Sequence, residues 1–379
     1  MSAAGLPLIL LAAGGTGGHL FPAEALAEEL RKRGVTVDLA TDERATRYGA
    51  AFPARTMHII PSETLRGRDP ISLARLVWQL GLGSGIAWRL LGRLRPAAVV
   101  GFGGYPTLPP LFAAWARRIP TVVHDANAVI GRANRLLAPR VTAIATSFPG
   151  MLESEPGLAA RATLTGNPVR PAVVAAAAVP YTDPDVDRLR LLVFGGSQGA
   201  RVMSDVVPSA MDLLEPAVRK RIAIVQQARE EDHARVRDAY ARLGIAAEVA
   251  PFFSDLPARL AGAHLVIGRA GATTVAELAA IGRPAILVPL PHALDQDQMA
   301  NATVLANAGG AIVLKQDIFT PRRLADEITI LARAPERLKA MAAGARSAGV
   351  LDAAARLADL VLRVANVVPP AQQESGPRT

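Results

Sequence analysis

Residues 8–19 read LILLAAGGTGGH, and this stretch decides the fold of the chain. The apolar run from Leu8 to Ala13 has the composition of a strand that is buried on both faces. It leads into the glycine-rich turn from Gly14 to His19, and a helical pattern follows from Pro22 to Arg33. A strand, a glycine turn and a helix in this order form the opening unit of a doubly wound α/β domain.

The same order returns once, halfway along the chain. Leu189 to Phe194 is apolar, Gly195 to Ala200 is a second glycine-rich turn, and Arg201 to Leu214 is helical. Two Rossmann-like α/β domains, each with a doubly wound parallel sheet, are therefore predicted. The other predicted strands are Val35–Ala40, Ala97–Val100, Thr121–Val123, Ala143–Ala145, Ile222–Val225, Ala246–Val249, Leu265–Ile267, Ala285–Val288 and Ala311–Leu314.

The length of 379 residues suits two domains of ordinary size. Prolines at Gly166–Pro171 interrupt the periodic pattern. We therefore expect domains at residues 1–168 and 169–366, a disordered proline-rich tail at 367–379, and an active site in the cleft between the domains.

Composition excludes several classes of site and of protein. The chain has no cysteine, so disulfides, thiolate zinc sites and cysteine nucleophiles are excluded. Met1–Gly5 lacks the basic region of a signal peptide, and no stretch reaches the ~18 consecutive apolar residues that a membrane-spanning helix needs. If the protein meets a membrane, we expect it to lie on the surface.

Positive charge is concentrated in the first half of the chain. Of the net charge of +9, an excess of +7 lies up to Arg161 and +2 lies beyond it. Eleven arginines occur from Arg66 to Arg140, against only Asp69 and Asp125. This region should attract an anionic partner, either nucleic acid or an anionic lipid surface.

Both glycine turns suit phosphate, because a turn that opens a helix presents unpaired N–H groups and the positive end of the helix dipole. The dinucleotide fingerprint G-x-G-x-x-G fails from Gly15, since Leu20 occupies the third glycine position. His19 ends the first turn, where the helix N-terminus favours the neutral imidazole that a general base needs. His19 is therefore a candidate base, with a purely structural role as the alternative.

A third turn, from Gly268 to Glu277, follows a predicted strand and opens a helix. Its N–H groups and threonine hydroxyls suit a diphosphate, and Glu277 can accept two hydrogen bonds from a ribose diol. Alternatively, a threonine only caps the helix and Glu277 faces water. Downstream, Gln298 and Asn301 share a helix face and suit sugar hydroxyls.

Seven segments in one order resemble glycosyltransferase family 28, in particular its two-domain GT-B enzymes that transfer N-acetylglucosamine to a lipid-linked peptidoglycan precursor. The match runs from about Leu8 to Leu314. One departure is visible: the family usually has Glu-Gln where this chain has Asp125 and Ala126, which leaves their role open. The segments are GGTGGHLFPA from Gly14, GFGGYPTLPP from Gly101, HDAN from His124, GNPVRP from Gly166, GGSQGAR from Gly195, RAGATTVAEL from Arg269 and DQMANA from Asp297.

The resemblance implies a UDP-N-acetylglucosamine site, with Phe253 meeting the uracil through its backbone. It also implies loops for the acceptor or the diphosphate. The implied donor residues are Thr16, Gly17, Gly18, Asn127, Arg170, Ser197, Phe253, Gly271, Ala272, Thr273, Thr274, Val275, Ala276, Glu277 and Gln298; the implied loop residues are Gly103, Gly104, Tyr105, Gly196, Gln198 and Gly199.

The reaction implied by the resemblance is an inverting displacement, in which the C4 hydroxyl of the muramoyl sugar of lipid I attacks the anomeric carbon and UDP leaves. No metal-ligand cluster is evident in the sequence, and no cofactor is predicted.

The polyprenyl tail of lipid I implies contact with a membrane. The segment from Ile71 to Leu82 projects apolar residues on two opposite helical faces, which fits either full burial or one face in lipid headgroups. Charge and resemblance together favour lipid contact, with a peripheral location on the cytoplasmic face of the plasma membrane. The predicted patch is Ile71, Arg75, Trp78, Leu82, Trp115, Arg117, Arg118 and Arg140.

Three alternatives stay open at this point. A GT-B transferase with a different lipid or natural-product acceptor would share the donor site. A nicotinamide-dependent oxidoreductase is kept open by Asp38, Asp42 and Glu43 near the end of the second strand, but the missing third glycine argues against it. A nucleic-acid-binding module is disfavoured, because the arginine-rich region has no aromatic stacking ladder.

Overall fold

A computed structural model of the chain describes residues 7–14, 16–43, 52–61, 70–184, 188–196, 199–291 and 297–368, except for the side chains of 70–77. The described residues form two compact units. The first unit comprises those up to Pro168 and from Asp352 onward, and the second runs from Val169 to Leu351. Each unit is built on a parallel sheet, which confirms the predicted α/β class.

In the first unit, the described strands form one seven-stranded sheet with the order β3-β2-β1-β4-β5-β6-β7. Because β1 pairs with both β2 and β4, the direction of winding reverses beside β1. Sheets of this kind bind ligands at the carboxyl ends of the strands at that point. The strands are β1 (Leu8–Ala12), β2 (Thr36–Thr41), β3 (Met57–Ile59), β4 (Ala98–Gly101), β5 (Thr121–Asp125), β6 (Ala143–Thr146) and β7 (Ala162–Leu164).

Helices cover both faces of this sheet, which is why its strands are continuous apolar runs. Ile9 and Leu11 point to one face, and Leu26 of the first helix is buried against them. Leu10 points to the opposite face, where it joins a cluster with Leu91 and Leu111. The helices that precede the second unit are α1 (Gly17–Lys32), α2 (Pro70–Leu94), α3 (Leu108–Ala116), α4 (Arg132–Leu137) and α5 (Pro156–Ala159), with a 3-10 turn at Tyr105–Thr107.

The second unit repeats the architecture, and its described strands form a six-stranded sheet with the order β10-β9-β8-β11-β12-β13. Here the winding reverses between β8 and β11, so the loops after those two strands lie at the corresponding point. The strands are β8 (Leu189–Phe194), β9 (Ile222–Gln227), β10 (Ala246–Ala250), β11 (Leu265–Gly268), β12 (Ala285–Leu287) and β13 (Ala311–Val313). The helices are α6 (Pro171–Ala176), α7 (Arg201–Asp212), α8 (Pro216–Arg219), α9 (Glu230–Arg242), α10 (Leu256–Gly262), α11 (Ala272–Ile281), α12 (Asp297–Asn307), α13 (Pro321–Arg333) and α14 (Pro335–Ser347).

The end of the second domain differs from the predicted boundary at residue 366. Helix α15 (Ala353–Val364) returns to the first unit, where Leu357 and Val361 are fully buried beside α1. The Arg33 guanidinium pairs with Asp359 and donates to the Ala355 carbonyl oxygen at 3.3 Å. The apolar stripe of α15 is thus buried on a sheet face that α1 covers only in part.

The predicted disordered tail at residues 367–379 is wrong at its first residue, because Val367 packs against the same core as α15. Residues 369–379 lie outside the described part of the chain. Across the ranges given above, no helix is both long enough and apolar enough to cross a bilayer.

Candidate functional site

The loops after β1 and β4 enclose the imidazole of His19 in the first unit. Thr16 Oγ1 lies 3.1 Å from His19 Nδ1. A Cβ atom on Gly14 would lie 3.2 Å from Nδ1, one on Gly103 would lie 3.3 Å from Nε2, and one on Gly104 would lie 3.3 Å from Cε1. The three glycines therefore leave the space that the ring occupies. His19 stays half-buried, at the start of α1.

Behind this loop, His124 is fully buried near the end of β5. Its Nε2 donates to the Gly166 carbonyl oxygen at 3.2 Å, so Nδ1 of the neutral ring is an acceptor. Burial lowers the pKa of His124 to about 4, and the proximity of His19 acts in the same direction, whereas the bond to Gly166 opposes it. His124 is therefore a neutral hydrogen-bonding group at physiological pH.

Asp125 organises the loop that carries Asn127. Its carboxylate accepts the backbone N–H of Asn127 at 3.1 Å, the backbone N–H of Gly131 at 2.7 Å, and Asn134 Nδ2 at 3.0 Å. Burial raises the pKa of Asp125, and these hydrogen bonds oppose the rise. Asp125 thus has a structural role at the position where the chain departs from the family pattern, and Ala126 beside it is buried.

In the second unit, α11 begins directly after β11 and carries Glu277. Arg170 Nη2 donates to Glu277 Oε1 at 3.0 Å, and the glutamate side chain is only 4% exposed. Burial raises the pKa of Glu277, while the Arg170 charge opposes the rise by stabilising the carboxylate. Near the helix N-terminus, Thr273 Oγ1 is buried and has no hydrogen-bond partner among the described residues. This helix end offers N–H groups and a hydroxyl to an anion.

Phe253 lies in the loop after β10, and its ring is held from one side. The Arg259 guanidinium carbon lies 4.3 Å from the ring centroid. Arg259 is itself fixed by Asp255 and by Glu248, each at 2.7 Å. The Phe253 ring is therefore held against a guanidinium group that is itself fixed by two carboxylates.

The loop after β8 folds back on itself. A Cβ atom on Gly195 would lie 2.2 Å from the backbone nitrogen of Ala200, so only glycine fits. Gly196 and Gly199 adopt φ values of +90° and +68°, which side chains disfavour. The buried side chain of Gln227 holds the start of this loop, since its Oε1 accepts the Gly195 N–H at 3.0 Å.

Of the remaining residues predicted from the sequence, some make hydrogen bonds within the protein and others lie outside its described part. Gln298 Oε1 accepts the Leu290 N–H at 3.0 Å. Asn301, grouped with Gln298 by spacing, is fully buried and donates to the Ala270 carbonyl oxygen at 3.2 Å, so it supports the turn before α11. Ser197 and Gln198 lie outside the described residues.

Each unit therefore gathers its own predicted site residues at the carboxyl edge of its sheet. Sequence reasoning missed the structural roles of Asn134 and Gln227. The signal for Gln227 was a pair of glutamines directly after a predicted strand. Within the described ranges, no cluster of three or more His, Cys, Asp and Glu side chains could hold a metal ion. The first unit holds Thr16, Gly17, Gly18, Gly103, Gly104, Tyr105 and Asn127, and the second holds Arg170, Gly196, Gly199, Phe253, Gly271–Glu277 and Gln298.

The predicted membrane patch lies on α2, on α3 and the two residues after it, and in the turn after α4. Trp78, Leu82 and Trp115 are 73%, 48% and 50% exposed. The Arg117 guanidinium carbon lies 4.0 Å from the ring centroid of Trp88, and that of Arg140 lies 5.7 Å from the centroid of Trp115. Arg118 is exposed, while the side chains of Ile71 and Arg75 lie outside the described part.

Comparison with family models gives two matches that together span most of the chain. Residues 9–146 match the glycosyltransferase family 28 N-terminal domain, and residues 190–357 match the glycosyltransferase family 28 C-terminal domain.

Two curated relatives carry the name UDP-N-acetylglucosamine--N-acetylmuramyl-(pentapeptide) pyrophosphoryl-undecaprenol N-acetylglucosamine transferase. The protein from Rhodopseudomonas palustris (strain BisB5) is 65% identical over 362 residues, which cover 95% of this chain and 99% of the relative. The protein from Nitrobacter winogradskyi (strain Nb-255) is 64% identical over 360 residues, which cover 95% and 98%. Among solved structures, MurG of Acinetobacter baumannii is 28% identical, with a TM-score of 0.76 over 94% of this chain and 99% of that chain.

Proposed function

The chain belongs to glycosyltransferase family 28, and from this premise we propose that it transfers N-acetylglucosamine from UDP-N-acetylglucosamine to the C4 hydroxyl of lipid I, giving lipid II. Lipid I is undecaprenyl-pyrophosphoryl-MurNAc-pentapeptide, the acceptor in the names of both relatives. The observation that carries the proposal is Glu277, buried on α11 and paired with Arg170. A buried carboxylate beside a helix N-terminus suits a ribose diol next to a diphosphate.

The second unit holds the donor in this proposal. The N–H groups at the start of α11 and the hydroxyl of Thr273 bind the diphosphate, while Glu277 accepts hydrogen bonds from the ribose. The backbone at Phe253 meets the uracil, and Gln298 contacts the sugar. Support comes from the buried Thr273 oxygen, which has no partner in the described part of the chain, and from the contact between Phe253 and Arg259.

The first unit supplies residues for the sugar and the acceptor. Thr16, Gly17, Gly18 and Asn127 approach the donor sugar. The C4 oxygen of the acceptor attacks the anomeric carbon, the bond from that carbon to the β-phosphate oxygen breaks, and UDP leaves with the electron pair. The negative charge of the departing diphosphate is stabilised by the α11 N-terminus and by Arg170.

His19 accepts the acceptor proton in this scheme. It is half-buried at the start of α1, and its Nδ1 lies 3.1 Å from the Thr16 hydroxyl. A hydroxyl at that distance can either hold the ring in place or relay a proton to it.

The acceptor carries a polyprenyl chain, so the enzyme acts at the cytoplasmic face of the plasma membrane in this proposal. Exposed tryptophans with arginines stacked on them suit a headgroup region, where the rings bury in the interface and the guanidinium groups meet phosphate. Trp88 with Arg117 and Trp115 with Arg140 supply such pairs.

A transfer assay tests the function directly. The protein is incubated with radiolabelled UDP-N-acetylglucosamine and lipid I in anionic vesicles, and labelled lipid II and released UDP are quantified. We expect equimolar lipid II and UDP. A preparation that binds UDP but forms no lipid II from vesicle-presented lipid I would contradict the proposed acceptor; a preparation that does not bind UDP would contradict the donor.

A further inference from the structure

Gln227 occupies a central position at the carboxyl edge of the second sheet. It is the last residue of β9, which lies between β8 and β10 in the strand order. Its backbone is in register with Ala250, the last residue of β10, and its neighbour Gln226 is in register with Val193 near the end of β8. The loops that follow β8 and β10 therefore leave the sheet on either side of Gln227.

The side-chain amide of Gln227 bonds to both of those loops. Its Oε1 accepts the Gly195 N–H at 3.0 Å, and its Nε2 donates to the Pro251 carbonyl oxygen at 3.1 Å. An N–H can only donate and a carbonyl can only accept, so these two partners determine the orientation of the amide. Gln227 is 6% exposed, and breaking either bond would leave a backbone group without its partner in a largely dry environment.

Each of these loops carries a proposed donor contact. Gly195 begins the glycine-rich turn after β8, where a Cβ atom would lie 2.2 Å from the Ala200 backbone nitrogen, so the described ends of this turn pack closely together. Pro251 lies two residues before Phe253, the residue proposed to meet the uracil through its backbone. A displacement of Pro251 would therefore move the Phe253 backbone, which is proposed to contact the uracil.

We propose that Gln227 is a positioning residue for donor recognition, which holds the base-reading loop and the glycine-rich turn in one fixed relation so that uracil is distinguished from other bases. This inference rests on the proposed function, because it takes the donor to be a uridine diphosphate sugar. Gln227 acts through the two loops and does not itself contact the donor.

The neighbouring glutamine provides a matched control. Gln226 is fully buried and points to the opposite face of the sheet, where its Oε1 accepts the Tyr240 hydroxyl. Gln226→Met and Gln227→Met each remove one buried amide from adjacent positions of the same strand. Only Gln227→Met releases the two loops.

The test measures the binding of UDP and of CDP by calorimetry for the wild type and both variants, with thermal unfolding followed by circular dichroism. We expect the wild type to prefer UDP. In Gln227→Met, that preference should fall about fivefold or more, which is the effect of losing about one hydrogen bond. Gln226→Met should lower the unfolding temperature and keep the preference for UDP.

A second variant keeps the test decisive if Gln227→Met folds poorly. Gln227→Glu retains an oxygen for the Gly195 N–H but, when ionised, has no proton to donate to Pro251, so it should lose base discrimination while the Gly195 amide resonance stays near its wild-type position. An unchanged preference for UDP in both Gln227 variants would overturn this inference alone. A wild type that binds no UDP would overturn the proposed function, and this inference with it.

Discussion

The glycine turn after β1 and the glycine turn after β8 are the same structural unit used in two ways. In the first turn, Gly14 leaves room for a side chain, the imidazole of His19. In the second, Gly195 leaves room for the backbone at Ala200. The first arrangement encloses an imidazole, whereas the described residues of the second, Gly195, Gly196, Gly199 and Ala200, bring backbone atoms together. A repeated supersecondary element thus determines where a site lies, and the residues around the turn determine its chemistry.

The surroundings of the two turns differ in charge as well. In the first unit, neutral His124 and the amide of Asn134 lie behind the loop, and burial raises the pKa of Asp125. In the second unit, a buried ion pair joins Arg170 and Glu277. This contrast fits the proposed roles of the two units, proton transfer in the first and phosphate binding in the second. Substitutions at Glu277, His124, Gly14 and Gly195 test it.

Removing the charge of Glu277 should have the largest effect. In Glu277→Ala, the Arg170 guanidinium loses its ion pair with the Glu277 carboxylate in a largely buried position, a change that costs about 3–5 kcal/mol in other proteins. We expect UDP-N-acetylglucosamine to bind about 100-fold more weakly, as measured by calorimetry at a temperature where circular dichroism shows the variant folded. The control is Glu327→Ala, which breaks the ion pair between this buried glutamate and the more exposed Arg323 on α13. Equal donor affinity in both variants would remove Glu277 from the donor site.

Acidification should weaken the first unit through His124. The unfolded chain takes up this proton near the ordinary pKa of 6.5, while the folded protein takes it up only at about pH 4. The His124 contribution to stability is therefore complete above pH 6.5 and is lost as the pH falls from 6.5 to 4, by about 3 kcal/mol in total.

Tryptophan fluorescence isolates this effect, since Trp78, Trp88 and Trp115 are the three tryptophans of the sequence and all belong to the first unit. Urea unfolding at a series of pH values should show the decline in the wild type and a flatter profile in His124→Phe. Thr107→Val, which removes a buried hydroxyl bonded to Gly103, should lower stability at every pH and keep the wild-type slope. An identical slope in His124→Phe would show that another group titrates in this window.

Replacing either turn glycine by alanine should have a smaller effect on UDP binding, and the two replacements together compare the roles of the two turns. Neither Gly14 nor Gly195 adopts a positive φ, so the added Cβ atom tests only the available space. In Gly195→Ala, that atom meets backbone at 2.2 Å, and in Gly14→Ala it meets the His19 ring at 3.2 Å. Overpacking costs about 1–3 kcal/mol. Gly195→Ala should weaken UDP binding about tenfold or more, whereas Gly14→Ala should keep UDP affinity and lower turnover. Weaker UDP binding in Gly14→Ala alone would reverse the assignment of the two turns.

In the first unit, the sequence predicted the centre of the sheet better than its margins. The central strands are long apolar runs because helices cover both faces, and that pattern is visible in the sequence. The edge strands β3 and β7 were missed, since Met57–Ile59 and Ala162–Leu164 are three residues long and only partly buried. Helix α15 was assigned to the wrong domain, because an apolar stripe shows that a helix is buried but not which sheet buries it.

The loops of the site were predicted from their motifs, while their supports were not. A glycine turn can be recognised from its composition. The side chain of Gln227, by contrast, bonds to two backbone groups that are 32 and 24 residues away in sequence. The predicted strand ended at Val225, two residues before Gln227, so a side chain at the very end of β9 was not considered. Asp125 was identified only as a departure from the family pattern, because the hydrogen bonds of its carboxyl group go to the loop and helix that follow it.

The smallest expected effect is on vesicle binding. It compares the two faces of the first unit, of which one carries the predicted membrane patch on and beside α2, α3 and α4. Arg140 is exposed beside Trp115, whereas Arg31 is exposed on α1, which packs against the opposite face of the sheet. A basic residue near an anionic leaflet contributes about 1 kcal/mol, so Arg140→Glu should weaken binding to phosphatidylserine vesicles about fivefold to tenfold. Arg31→Glu changes the net charge equally and should leave vesicle binding near the wild-type value. If both variants lose the same affinity for vesicles, the attraction comes from the overall charge of the protein. The face that carries Trp115 would then not be the membrane-binding surface.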